Sequence, residues 1–177
     1  EQREHMYKWL RKTRNGESGK PLFVMDFQDD GEYVGGCIAG GRNYFHINSA
    51  GDMEPCVFIH FSDSNIRKKT ILEGLKSPLF MAFRRNQPFN DNHLRPCPML
   101  ENPQCLRQII EETGAKSTNL LGEETADCLC SKCDKFAAEW AVQAERIWNS
   151  NPHPHPKTQY YRDTPEGRAE AKNKLAE

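Results

Sequence analysis

Seven cysteines, at positions 37, 56, 97, 105, 128, 130 and 133, constrain this chain of 177 residues more than any other feature. An odd number cannot all pair as intramolecular disulfides. No secretory signal pattern is present, so the reading is a reducing, cytoplasmic setting. There, clustered cysteine points to metal. Any single one of the seven is as well explained as a packed thiol, because cysteine behaves as a small hydrophobe. The set as a whole is better explained by metal.

Composition narrows the field. Lys and Arg total 24 against 25 Asp and Glu, a net charge of −1. That balance argues against a nucleic-acid or anionic-membrane binder. Arg67-Lys68-Lys69 and Arg84-Arg85 are short charge runs that a solvated helix face explains. No apolar run approaches the ~20 residues that cross a bilayer. Of the 33 Leu, Ile, Val and Phe, 31 lie in 21–150, so the middle segment is expected to fold with little core from either end. The chain opens on Glu1, and the expectation is a piece of a longer protein. Residues 1–30 read as a helix and strand or linker, 31–150 as the folded unit, and 151–177 as a polar tail.

Local signals order the folded unit. Residues 2–14 form a helix with Met6, Leu10 and Trp9 on one side. A short, mostly buried strand is expected over 21–27, and Asp29-Asp30-Gly31 forms a turn. Glycines at 35, 36, 40 and 41 frame Cys37, allowing positive φ or close approach to something bulky. A hairpin follows: strand 44–48, turn 49–52, return strand 53–60, with Phe45 and Ile47 on one face and Tyr44, His46 and Asn48 on the other. Asn65 or Ser64 caps a helix through Ile71, Leu72 and Leu75. Pro78 opens a second helix with Leu79, Phe80 and Phe83 as its apolar side. Residues 86–103 form an ordered, proline-rich loop. Pro103 opens a helix that Gly114 ends, and 115–124 is a polar connection. The last helix spans about 125–149, with Ala126, Cys130, Cys133, Ala137, Trp140, Ala144 and Ile147 in one stripe. The fold class is small α+β: a hairpin and short sheet packed with several helices beside a Cys-ligated metal site.

The stretch GGCIAGGRNYFHINSAGDMEPC, residues 35–56, resembles the opening of the SPASM and "twitch" auxiliary domains of radical SAM enzymes. In that family a cysteine precedes a hairpin and a second lies on its returning strand, holding an iron–sulfur cluster; thiolates suit such clusters. FIHFSDSNI and QPFNDNHLRPCPMLENP extend the resemblance over about residues 20–110. It implies Cys37, Cys56 and Cys97 as ligands of one [4Fe-4S] cluster, with Cys105 as the candidate fourth, or a three-cysteine cluster whose open iron meets substrate. The total of seven cysteines matches a full SPASM domain but the spacings do not, which implies one cluster and not two. The radical SAM signature, three cysteines separated by three and two residues, does not occur. The resemblance therefore implies the C-terminal auxiliary domain of a radical SAM enzyme, with residues 1–28 as the edge of its barrel. Such a domain relays an electron or binds a peptide or small-molecule substrate, partners an N-terminal barrel that binds SAM, and is not catalytically competent alone.

Other residues carry weaker signals. Cys130 and Cys133 form a CxxC pair, yet both fall on the apolar stripe, so packing explains them; Cys128 lies off it. His46, His60 and His93 are candidate zinc ligands or proton carriers, with ordinary hydrogen bonding as the default. His153 and His155 read as solvated. Asp26 and Asp30 are candidates to face a substrate, and Arg42 to bind an anionic group. The competing class is a zinc-stabilised structural or interaction module. The wide separation of the three cysteines, unlike paired CxxC knuckles, favours the cluster.

Overall fold

The computed structural model describes residues 1–14, 16–17, 19, 22, 24–26 and 30–150. The tail over 151–177, with His153 and His155, lies outside the described residues, as do several positions of 15–29.

The architecture is α+β. Among the described residues there are six helices and two small antiparallel sheets. In chain order they are α1 (Gln2–Arg14), α2 (Gly31–Val34), β1 (His46–Ile47), β2 (Met53–Glu54), β3 (Phe61–Ser62), α3 (Ile71–Gly74), α4 (Pro78–Asn86), α5 (Pro103–Thr113), β4 (Lys116–Ser117) and α6 (Ala126–Ser150). One sheet pairs β1 with β2, setting His46 opposite Glu54 and Ile47 opposite Met53. The other pairs β3 with β4, setting Phe61 opposite Ser117 and Ser62 opposite Lys116.

The helices obey their sequence signals. Proline stands at the first position of α4 and of α5, where its missing N–H costs nothing. Gly114 ends α5 in the left-handed conformation, its N–H bonding Ile110 O. The α3 cap differs from expectation. Thr70 caps it, in a reciprocal box with Glu73, while Asn65 closes the turn before it by accepting from Arg67 N.

Two apolar clusters hold these elements. The larger joins Ile59 and Phe61 to Leu79, Ala82 and Phe83 of α4, Leu106, Ile109 and Ile110 of α5, and Leu129 and Cys130 of α6. Burying a residue such as Phe83 completely contributes ~1.5–3 kcal/mol. The smaller cluster joins Tyr7 to Leu94, Trp140, Ala144 and Ile147. Polar bonds reinforce the helix pair: Arg107 of α5 reaches Asp127 and Asp134 of α6.

Several expectations are corrected. The amino terminus does contribute core: Tyr7 and Leu10 are buried, while Met6 and Trp9 are exposed, so α1 docks through a face rotated from the expected one. Tyrosine, left out of the aliphatic count, makes the difference. Of residues 21–27 the structure describes 22 and 24–26, which form no strand and leave Leu22 and Met25 exposed; the rest of the expected strand lies outside the described residues. Asp30 lies on a helix boundary, where its carboxylate accepts from Arg14 and from Asp26 N, and α2 follows it. The return strand stops at Glu54, because residues 56–59 fold into a tight turn bridging Cys56 to Ile59. The polar connection 115–124 also supplies β4.

Candidate metal centre

Three thiols from separate segments share one neighbourhood. Cys37 follows α2 in the glycine-framed loop, Cys56 follows β2, and Cys97 sits in the proline-rich loop before α5. Burial pushes the Cys37 thiol up to about 11, and the Cys56 sulfur adds to the rise. Burial also raises Cys97, reinforced by Cys37 and the Glu101 carboxylate. Cys37 therefore senses both other sulfurs. All seven cysteines are free thiols.

Each of the three sulfurs accepts a hydrogen bond. Ala39 N–H donates to Cys37 Sγ at 3.4 Å, Leu100 N–H to Cys97 Sγ at 3.3 Å, and the Tyr44 hydroxyl to Cys56 Sγ at 2.8 Å. Donors aimed at sulfur stabilise a thiolate and tune a bound metal. Burial acts on Tyr44 as well, raising its phenol along with the neighbouring Cys56 and Cys37. Glu101 is fully buried, accepts from Cys97 N at 2.8 Å, and fixes the Cys97 loop.

The glycine frame has a packing cause. Gly40 holds φ +69°, and a Cβ there would stand 2.7 Å from Phe83. At Gly41, with φ +75°, a Cβ would meet Leu75 at 2.7 Å. These glycines let the Cys37 loop lie directly on α4. Arg42 clamps the same loop from inside, donating to Cys37 O at 2.8 Å and to Val34 O. Its guanidinium is thus engaged by backbone carbonyls rather than presented to an anionic ligand.

Cys105 occupies the first turn of α5, packs against the larger apolar cluster as Cys56 does, and lines a cavity of about 560 Å³ with Arg95, Asn102 and Asp134. Burial raises its thiol, with no other thiol contributing. The three cysteines of α6 differ in burial. Cys130 is buried in the larger cluster and pushed up to about 11 by that burial. Cys133 is half-buried and Cys128 exposed. Among the described residues no three His, Cys, Asp or Glu converge closely enough to hold a single metal ion.

His46 and His60 both face Glu54, at 2.7 and 3.8 Å, while the His93 ring lies 5.8 Å from that of Trp148. Glu54 was not singled out from the sequence. The available signal was its hairpin register, which sets a carboxylate opposite a histidine.

Comparison with known proteins adds no relative: no family model, no curated protein and no solved structure matches the chain. No helix among the described residues is long and apolar enough to cross a membrane.

Proposed function

We propose that this chain is an auxiliary iron–sulfur module of the SPASM or twitch kind, working as the C-terminal part of a radical SAM enzyme whose SAM-binding barrel is a separate region. The observation that carries this reading is the shared neighbourhood of Cys37, Cys56 and Cys97, each sulfur receiving an N–H or O–H donor. The donor set fits a cluster in its chemistry: soft sulfur, partial burial and directed hydrogen bonds. Structural zinc needs four ligands gathered at ~2.3 Å from one ion. The separation of Cys37, Cys56 and Cys97 in sequence, 19 and then 41 positions, is unlike the paired CxxC knuckles of zinc modules and supports the cluster over the zinc module.

When bound, a cluster would supply one-electron transfer or an iron that accepts a substrate atom. The chain's own residues do the rest. Ala39, Leu100 and Tyr44 hold and stabilise the sulfurs, Arg42 pins the Cys37 loop, and Glu101 fixes the Cys97 backbone. Cys105 is the proposed ligand with the least support, since burial alone raises its thiol and none of the other three sulfurs contributes.

Anaerobic reconstitution with iron and sulfide, followed by metal analysis and an absorption spectrum, tests the proposal. The expected result is a brown protein with about four irons, whose colour disappears in Cys37→Ala, Cys56→Ala and Cys97→Ala and persists in Cys105→Ala. A colourless protein carrying stoichiometric zinc would establish the structural module instead. A stable fold taking up neither metal would leave the cysteines as packed thiols.

A further inference from the structure

The β1–β2 hairpin carries a second constellation, two residues along from Tyr44 and Cys56. Glu54, set opposite His46, is fully buried. A carboxylate in that position is costly unless every oxygen is satisfied. Among the described residues its ion-pair partners are two imidazoles and no lysine or arginine. One oxygen, Oε1, accepts from Asn48 Nδ2 at 3.0 Å and Thr118 Oγ1 at 2.5 Å. The other, Oε2, meets His46 Nδ1 at 2.7 Å. With Nδ1–H donating to Oε2, the lone pair of the neutral ring stands on Nε2. This is the arrangement by which a third group orients a base.

The His46 ring is about one-third exposed, at 34%, and lines a cavity of about 400 Å³. His60 and Thr118 share that wall, and Leu120 and Leu121 supply an apolar side. Leu120 and Leu121 are both exposed, which leaves two adjacent apolar side chains open at that wall.

We propose that this cavity is a ligand site in which His46 Nε2 accepts a proton and Glu54 is the positioning residue that orients it. The ligand class is a small molecule or peptide group bearing an acidic O–H or N–H beside an apolar body that rests on Leu120 and Leu121. The proton moves from the ligand's heteroatom to Nε2, the bonding pair stays on the ligand, and the imidazolium formed is balanced by the Glu54 carboxylate. No electron is transferred and no co-reactant is needed. The proposal stands independently of the thiols.

The test uses the full chain and 4-nitrophenol, an acidic hydroxyl on an apolar ring, as probe. Ring nitrogen NMR of the wild type is expected to show His46 as the Nδ1–H tautomer. Adding the probe is expected to shift the His46 ring and the Leu120 and Leu121 methyl signals, and to raise phenolate absorbance above that in buffer. His46→Gln abolishes the extra phenolate, and Glu54→Gln, which can still hydrogen-bond its neighbours, lowers it and mixes the tautomers. An Nε2–H tautomer in the wild type overturns the proposal without reliance on any variant. So does phenolate formation indifferent to both substitutions, or probe shifts confined to other residues.

Discussion

Two groups of three thiols occupy the same small protein in different ways. Cys37, Cys56 and Cys97 come from segments separated by 19 and 41 positions, and each sulfur receives a hydrogen bond. Cys128, Cys130 and Cys133 lie within two turns of α6, where Cys130 fills the apolar core and Cys128 faces outward. The CxxC pair is local and mostly structural, whereas the sulfurs with directed donors are assembled by tertiary structure.

Iron loading is the sharpest way to break this contrast. Alanine at Cys37, Cys56 or Cys97 is expected to abolish iron uptake, while Cys128→Ala and Cys133→Ala retain it, as read by metal analysis after reconstitution. Loss of iron in the helical variants would erase the distinction. Next in size is the backbone that carries Cys37. Gly40→Ala forces a Cβ against Phe83 at a positive φ, and is expected to cost at least ~1–3 kcal/mol in denaturant unfolding. Within α6, Cys130→Ser places a hydroxyl in the apolar cluster and is expected to cost ~1–3 kcal/mol, while Cys128→Ser stays within ~0.5 kcal/mol.

The smallest effect concerns alkali, where the two groups converge. Cys37 and Cys130 are both pushed up to about 11 by burial. Unfolded thiols ionise near ~8.5, so above that pH the unfolded state releases protons first. The stability these thiols contribute in the metal-free protein is complete below that value and is lost as pH rises through about 11. Denaturant midpoints measured at neutral and alkaline pH should fall for the wild type and fall less for Cys37→Ala and for Cys130→Ala.

Much of the helical frame was legible because the signals are local. Pro78, Pro103 and Gly114 mark ends, and the α6 stripe places Cys130, Ala137, Trp140, Ala144 and Ile147 in the interior. The capping box of α3 was also on the page, as Thr70 and Glu73, but Asn65 is an equally good cap by type. What escaped depends on distant partners. Lys116 and Ser117 have no strand-like pattern and pair only because β3 offers an edge. Tyr7 finds its core through Leu94 and Trp140, far along the chain. The resemblance singled out Cys37, Cys56 and Cys97 as a set, whereas the place of Cys105 in a cavity wall needed the position of α5. Glu54 escaped because a glutamate in a strand carries no sign of burial.

Glu101 ties the first helix to the loop that carries Cys97. One of its oxygens holds Arg3 of α1 at 2.6 Å, and the other holds the Cys97 amide at 2.8 Å. The same guanidinium stacks over Trp140, 4.1 Å from its ring centre. A rigid carboxylate spanning helix and loop behaves as a strut. The first helix is therefore part of the scaffold that sets where the Cys97 backbone stands, and the strut gives that helix a direct line to the loop bearing the sulfur.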